Sequence, residues 1–162
     1  VPFIRPKKFS KDSSSSASAL KHALIQCEKF YNKKFDYIIE LMATNPLKSV
    51  RDINHVIKIL IRYKADSVIA VNQLFDHHPA RIKKIIKGKL HDFAVKEKLE
   101  SRRQDLKPKA YVRSGSIYAM SRRFVLQEKR YFSGKSYAYI LPSERTINID
   151  DKNDLLIAKI KI

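Results

Sequence analysis

The chain has 162 residues, of which 44% are hydrophobic and 31% charged, and this balance predicts one globular domain over residues 1–162 and excludes a disordered chain. Its apolar stretches are interrupted by charged residues such as Lys58 and Arg62, so we expect no membrane-spanning segment. The opening VPFIRPKKF lacks the apolar stretch of a secretory signal. Cys27 is the single cysteine, which excludes a disulfide within these residues and predicts a reducing cytoplasm.

The net charge of +18 makes nucleic-acid binding one interpretation. The basic residues are spread along the chain, and their densest clusters, at 81–89 and 96–109, are interrupted by Ile, Leu, Asp and Glu, as on solvated helix faces. The sequence contains no zinc-finger spacing and no glycine-aromatic RNA-binding signature. A positive field can equally attract a substrate that carries several phosphates and a carboxylate, so both interpretations stay open.

The first half of the chain alternates helix and strand signals. Apolar spacing predicts a helix over 17–31, with N-cap candidates among Ser13 to Ser16. The segment FDYIIELMA predicts a buried strand that ends in a turn. Ser49 and Asp52 resemble a capping box at the start of a second helix, and DSVIAVNQL predicts the next strand. This order, with short connections, predicts a parallel sheet with crossover helices and therefore an α/β fold.

The second half begins with a strongly charged segment, 80–109, which predicts an excursion or arm outside the core. GSIYAM predicts a strand, 121–132 a helix, SYAYILP a further strand and 151–162 a terminal helix. Ligands of such sheets bind at the carboxyl ends of the strands. The segments MATNPLKS and NQLFDHHP, which each follow a strand, are therefore expected at one functional edge.

Few residues announce a chemistry on their own. The only glycines are Gly88, Gly115 and Gly134, so neither a Walker loop nor a dinucleotide fingerprint can be written. His77 and His78 are adjacent and would point opposite ways in extended chain, which favours a capped turn or substrate-facing edge over a metal site.

Polar residues near the C-terminus offer oxygen ligands for a hard cation. Asn148 and Asp150 would share one face of a strand end, an arrangement that suits magnesium. On spacing alone we favour the alternative, in which Asp151 and Asp154 cap the last helix. Cys27 lies on the apolar stripe of its helix, which indicates a core cysteine rather than a nucleophile.

Five segments, taken in order, resemble one family. They are IRPKKFSKDSSSSASALKHAL, MATNPLKSVRDINHVIKI, DSVIAVNQLFDHHP, RRQDLKPKAYVRSGSIYAM and ILPSERTINIDDKNDLLIAKI. Together they resemble the C-terminal two thirds of the acylneuraminate (CMP-sialic acid type) cytidylyltransferases. The resemblance implies a Rossmann-like three-layer nucleotidyltransferase fold with a mainly parallel sheet. It also implies that the family's opening strand and phosphate-binding loop would precede Val1.

The resemblance implies transfer of CMP from CTP to a nonulosonic, sialic-acid-like sugar with release of pyrophosphate, using magnesium. It implies a homodimer joined through residues 79–110 as a dimerisation arm. By matching positions, the cytosine would be bound by Arg5, Ser14 and Ser16. The acidic sugar would be bound by Arg103, Ser114, Gly115 and Tyr118. Asp150 would be the catalytic metal ligand, together with Asn148.

Three departures from the family pattern alter these expectations. Met42 stands where the family has a sugar-contacting Gln, Ser114 where it has Asn before the glycine, and Asn148 where it has its first metal Asp. The first two imply a sugar other than sialic acid, such as legionaminic or pseudaminic acid. The third implies weaker magnesium binding, because a carboxylate charge is lost. Two alternatives stay open: a catalytically inactive fragment of such an enzyme, and a basic nucleic-acid-binding protein.

Overall fold

The structure is a computed structural model that describes residues 2–11, 13–97, 102–127 and 132–161. Its helices and strands alternate along the chain, which confirms the predicted α/β class. The α-helices of the described residues are α1 (Ser16–Tyr31), α2 (Val50–Arg62), α3 (Arg122–Leu126) and α4 (Lys152–Lys161). The strands are β1 (Tyr37–Leu41), β2 (Ser67–Leu74), β3 (Lys83–Ile86), β4 (Lys89–Asp92), β5 (Ala110–Ser121) and β6 (Ser136–Ile140). No helix in these ranges is both long enough and apolar enough to cross a membrane.

The central sheet has the strand order β1-β5-β2-β6. Strand β2 pairs in parallel with β6, while β5 runs antiparallel to both of its neighbours, β1 and β2. Strands β1, β2 and β6 therefore point in one direction, as predicted for a mainly parallel sheet. The predicted unit of β1, α2 and β2 does connect two parallel strands, but β5 lies between them.

Side chains of the sheet pack against helices on both faces, which gives three layers. On one face, α2 contributes Val56 and Leu60 to a buried cluster with alternate residues of β2 and β5, namely Val68, Ala70, Ile117 and Ala119. On the other face, α1 and α3 contribute Leu24, Phe124 and Val125 to a second cluster with Ile69, Tyr118 and Met120. The alternation follows from the period of two along a strand. The arrangement is that of a Rossmann-like fold.

Helix starts follow the predicted caps. The Ser15 side chain accepts a hydrogen bond from the Ser18 amide at the start of α1. Ser49 and Asp52 form the predicted capping box of α2. The helix predicted over 121–132 was too long, because α3 ends at Leu126 before the chain returns to begin β6 beside β2. Residues 128–131 of that prediction lie outside the described residues.

Two further predictions need correction. FDYIIELMA was expected to form a buried strand, but β1 is half-buried, and in the described part of the chain it pairs with β5 alone. Cys27 is half-buried rather than fully in the core.

Within the charged segment, β3 and β4 form a separate hairpin closed by Lys87 and Gly88, whose φ angles of 48° and 76° fit a tight two-residue turn.

Candidate active site

Strands end at different heights along the carboxyl edge of the sheet. Leu41, the last residue of β1, pairs with Ile117, and Ile140, the last of β6, pairs with Val71. Strands β2 and β5 continue beyond this level, where 72–74 pairs with 110–112. A two-stranded ribbon therefore projects past the ends of β1 and β6, and the candidate site lies at its base.

Gly115 lies in a bulge of β5 at the base of this ribbon. The register between β2 and β5 shifts there, and Gly115 has a φ of 66°, a left-handed conformation that favours glycine. The buried Ser114 hydroxyl donates a hydrogen bond of 2.9 Å to the Ala70 carbonyl. A Cβ on Gly115 would lie 3.7 Å from the Asn148 side-chain oxygen. The bulge therefore turns a face without a side chain toward Asn148.

Residues 146–150 cross this edge of the sheet. The Ile149 amide donates to the Thr44 carbonyl at 2.8 Å, and the Thr146 hydroxyl donates to the Asn72 side-chain oxygen at 3.1 Å. Asn148 Nδ2 donates to Asp150 Oδ2 at 2.7 Å. The segment is not the strand end that we expected, because its contacts are with a turn and a side chain rather than a neighbouring strand. Asn148 and Asp150 nevertheless come together as predicted.

Asp151 and Asp154 bind backbone amides at the start of α4, as in the alternative in which they cap this helix. Asp151 Oδ1 accepts from the amides of Asn153 and Asp154 at 2.7 and 2.9 Å, so it caps α4. Asp154 Oδ2 accepts from the amides of Asp150 and Asp151 at 3.0 and 3.1 Å. These two carboxylates are occupied with the backbone, which leaves Asp150 as the carboxylate beside Asn148.

The donor set fits a magnesium ion that is shared with phosphates. In the described residues no three His, Cys, Asp or Glu side chains form a metal-binding group. Asp150 and Asn148 supply one carboxylate and one amide oxygen, and the two side chains contact each other through the Asn148 amide nitrogen. Magnesium is commonly held by one or two carboxylates, with substrate phosphates and water completing six ligands. Asp150 and Asn148 would hold it in that manner.

The turn after β1 lies beside the bulge. The Met42 amide donates to the Ser116 carbonyl at 3.1 Å, and the buried Asn45 side chain donates to the Ser114 carbonyl at 3.3 Å. Lys48 Nζ donates to the carbonyls of Met42 and Asn45. Burial lowers the pKa of the Lys48 ammonium. An ammonium group is thus fixed within the turn.

Asp52 lies beneath this turn and is fully buried. Its carboxylate accepts from the Ser49 amide and hydroxyl at 2.8 and 2.7 Å, and from the Tyr139 hydroxyl at 2.7 Å. Arg145 adds two bonds, from Nε at 2.9 Å and from Nη2 at 2.8 Å. Burial alone would raise the pKa of Asp52, but the hydrogen bonds from Arg145, Tyr139 and Ser49 outweigh it and hold the pKa well below its usual range.

Arg103 lies at the far end of the ribbon. Its guanidinium is 3.1 Å from Asp76 and stacks 5.1 Å from the Phe75 ring centre. Arg103 and Phe75 help to line a cavity of about 450 Å³. His78 lines the same cavity, and its ring accepts from the Ala80 amide through Nδ1 and donates to the Pro108 carbonyl through Nε2. His78 thus caps a turn, which is one of the two roles that the sequence favoured over a metal site.

The residues predicted to bind cytosine form a separate group near α1. Arg5 Nε donates to the Ser10 hydroxyl at 3.2 Å, and the Ser14 hydroxyl donates to the Lys8 carbonyl at 3.0 Å. Ser16 is the first residue of α1. The hydrogen bonds described for Arg5 and Ser14 are with residues of their own segment.

The predicted sugar ligand Tyr118 belongs to the core. It is 8% exposed and packs with Leu24 and Phe124, and burial raises the pKa of its hydroxyl. The described contacts therefore join Gly115, Asn148 and Asp150. The Tyr118 hydroxyl also forms a hydrogen bond with the Gly115 backbone, whereas Arg103 lies in different surroundings.

Sequence reasoning missed four residues of this region: Asn45, Lys48, Tyr139 and Arg145. Asn45 and Lys48 belong to the segment MATNPLKS, which was expected at the functional edge, but neither was given a role. The signal for Asp52 was limited to its local capping box. Tyr139 and Arg145 lie 87 and 93 residues from Asp52 in sequence. Spacing in a single sequence carries no signal for such pairs.

Comparison with known proteins finds relatives that align with almost the whole chain, although no family model matches it. Post-translational flagellin modification protein B of Campylobacter coli is 25% identical over 167 aligned positions, which cover 100% of this chain and 68% of that protein. Pseudaminic acid cytidylyltransferase of Campylobacter jejuni is 29% identical, with 99% and 68% covered. N-acylneuraminate cytidylyltransferase of Streptococcus agalactiae is 27% identical, with 94% of this chain covered.

The chain is related to the acylneuraminate and pseudaminic acid cytidylyltransferases. This confirms the resemblance noted in the five sequence segments. The chain spans 35% of the length of the streptococcal cytidylyltransferase, so that relative is a much longer protein. The aligned ranges extend over most of the chain, 94–100% of it.

Proposed function

We propose that this chain carries cytidylyltransferase chemistry, namely transfer of CMP from CTP to a nonulosonic acid with release of pyrophosphate. The observation that carries the proposal is the similarity to pseudaminic acid and N-acylneuraminate cytidylyltransferases over 99% and 94% of the chain. The contact between Gly115 and the Asn148–Asp150 pair at the carboxyl edge of the sheet supports it, because ligands of such sheets bind there.

In this reaction an anomeric hydroxyl oxygen of the sugar bonds to the α-phosphorus of CTP. The bond from that phosphorus to the bridging oxygen breaks, pyrophosphate leaves with the electron pair, and the hydroxyl proton passes to solvent. Such chemistry depends on positioning and on neutralising phosphate charge. Asp150 and Asn148 would hold the magnesium that supplies part of this neutralisation. Arg5, Ser14 and Ser16 would bind the cytosine from the segment that precedes and begins α1.

The acidic sugar would bind between the bulge and the ribbon. Gly115 presents no side chain there, and Ser114 holds the bulge in place through Ala70. Arg103 has the planar fork that suits a carboxylate, and Asp76 now occupies part of it at 3.1 Å. The sugar carboxylate would displace Asp76. Tyr118 would act from beneath, as part of the packed floor rather than as an exposed ligand.

A homodimer is the assembly that the hairpin favours. Ile85 and Leu90 pair across β3 and β4, and each is 73% exposed. An isolated two-stranded hairpin is marginally stable in water, so an apolar face of this kind needs a covering surface. A second copy of the arm, residues 79–110, would provide it. The single cysteine, Cys27, favours the reducing cytoplasm as the location.

The test is pyrophosphate release from CTP with magnesium and a panel of pseudaminic, legionaminic and N-acetylneuraminic acids. The chain would be assayed alone and together with any coding sequence upstream of Val1. Release that requires one of the sugars supports the proposal. No release from either form, with both folded and CTP binding also absent, contradicts it. Binding to duplex DNA that weakens steeply with salt would instead favour the nucleic-acid interpretation of the +18 charge.

A further inference from the structure

The buried carboxylate of Asp52 connects both segments that form the candidate site. Through the Ser49 amide and hydroxyl it fixes the start of α2, which directly follows the turn at 42–48. Through the two Arg145 bonds, at 2.9 and 2.8 Å, it fixes the residue that precedes the segment 146–150. Tyr139, from β6, adds a third attachment at 2.7 Å.

The two segments that Asp52 connects also contact each other and the bulge. Ile149 donates to Thr44 at 2.8 Å, and Asn148 lies against Gly115. Arg145 is only three residues before Asn148, so the short intervening chain links its position to that of the Asn148–Asp150 pair. We propose that Asp52, Arg145 and Tyr139 form a positioning cluster that holds Asn148 and Asp150 against Gly115. The significance of that placement for magnesium and phosphate rests on the proposed function.

Burying the charged groups of this cluster costs more free energy than burying apolar side chains would. A buried ion pair often contributes no more to stability than well-packed apolar residues of the same volume, because both charges lose their hydration. Here both carboxylate oxygens of Asp52 are occupied, and the guanidinium of Arg145 binds them with two nitrogens. Such a geometry restricts direction as well as distance. Fixed geometry is what a pair of metal-binding oxygens requires.

The chain offers a matched control at the opposite edge of the sheet. Glu28 is also buried, and Arg122 binds it with two nitrogens, at 2.7 and 3.0 Å. Arg122 follows the end of β5 next to the start of β1, because Ser121 pairs with Tyr37. Arg145→Met and Arg122→Met therefore remove the same kind of bond from opposite ends of the sheet.

The measurement is amide hydrogen exchange by NMR on the full chain, with the Ile149 amide as the probe. In Arg145→Met we expect Ile149 to exchange at least about tenfold faster, since the hydrogen-bonded charge pair at the start of its segment is lost. The exchange rates of amides in the β2–β6 pairing should change only as much in Arg145→Met as they do in Arg122→Met. In Arg122→Met the Ile149 rate relative to those amides should stay as in the wild type. A smaller increase in the Ile149 exchange rate is expected in Tyr139→Phe. Arg145→Lys should keep part of the protection that Arg145→Met loses.

An unchanged relative rate of Ile149 in folded Arg145→Met overturns the proposal, as does an equal increase in Arg122→Met. If Arg145→Met does not fold, Tyr139→Phe decides, and an unchanged Ile149 rate there also overturns it. A second readout is Mn²⁺ added alone, whose broadening of the Asp150 amide should weaken in Arg145→Met and persist in Arg122→Met. Neither readout needs turnover. Failure of the cytidylyltransferase proposal would appear separately, as absent pyrophosphate release from the wild type.

Discussion

The side-chain oxygen of Asn148 lies 3.7 Å from the point where a Cβ on Gly115 would stand. This distance is ordinary van der Waals contact, so space alone does not require glycine at this position. The φ of 66° does, because residues with a Cβ rarely adopt it. Backbone conformation, rather than the space beside Asn148, therefore favours glycine at position 115.

Gly115→Ala is expected to lower the free energy of unfolding by about 1–2 kcal/mol, because alanine is strained at this φ. If the bulge relaxes to relieve the strain, Asn148 loses its neighbour and pyrophosphate release falls as well. The measurement is urea unfolding together with the release assay. Gly134→Ala is the control, since no atom lies within 4 Å of its Cβ position and its φ is not positive. Equal stability of the two variants would contradict the prediction.

Asp150→Asn should weaken Mn²⁺ or Mg²⁺ binding about tenfold or more, because the pair then lacks its only carboxylate. Asp151→Asn is a matched control, since Asn caps a helix about as well as Asp and residue 151 caps α4. Titration with Mn²⁺ followed by electron paramagnetic resonance would measure both affinities. An equal loss in the two variants would show that general acidity, rather than Asp150, binds the ion.

Asn148→Asp tests the departure from the family pattern in the other direction. A second carboxylate should tighten Mn²⁺ binding and lower the magnesium concentration that gives half-maximal pyrophosphate release. The carboxylate would also replace the present hydrogen bond to Asp150 by repulsion between like charges when no metal is bound. We therefore expect a lower thermal midpoint without metal and a larger metal-induced rise. Weaker Mn²⁺ binding than in the wild type would argue against Asn148 as a ligand.

The hairpin prediction concerns assembly. Replacing Ile85 and Leu90 together by Glu should convert a dimer to a monomer, because both side chains lie on one exposed face of β3 and β4. Lys84→Gln, on the other face of β3, should leave the dimer intact. Multi-angle light scattering on the eluted protein would decide. A monomeric wild type at tens of micromolar, or a dimeric double variant, would exclude the hairpin as the dimer contact.

Local signals in the sequence predicted local structure well. The Ser49–Asp52 capping box and the start of α1 at the serine run are confirmed, because each depends on residues three or four positions apart. The antiparallel insertion of β5 between β1 and β2 was not predicted, because strand order is decided by pairing between residues that are distant in sequence. The half-buried state of β1 follows from the same pairing.

The candidate site shows the same difference between what local signals predict and what depends on residues distant in sequence. The order of motifs identified Gly115, Asn148 and Asp150, and the structure brings these three together. The role of Asp52 beyond its cap depends on Tyr139 and Arg145, which only the folded chain places beside it. Tyr118 was expected to hold the sugar, and this stays a prediction. The alternation of β5 places its ring among core residues beside Phe124, while its hydroxyl forms a hydrogen bond with the Gly115 backbone.

The pair formed by Glu28 and Arg122 predicts a particular dependence of stability on acid. The hydrogen bond from Arg122 is the main cause that lowers the pKa of Glu28 from 4.5 to about 2. A carboxylate with a lowered pKa in the folded state stabilises the fold above its unfolded pKa, and this contribution is lost as the pH falls through the folded value. Between pH 4.5 and 2 the wild type should therefore lose the advantage that it holds over Glu28→Gln at pH 7.

Urea unfolding of both proteins across this range, followed by circular dichroism, measures that convergence. Glu144→Gln is the control, because Glu144 is largely exposed and its pair with Arg145, at 3.3 Å, is screened by water. Its midpoint should stay close to that of the wild type at every pH. If the difference between wild type and Glu28→Gln were the same at pH 2.5 as at pH 7, Glu28 would stabilise the fold by packing. Its charge would then contribute nothing to linking α1 to the end of β5.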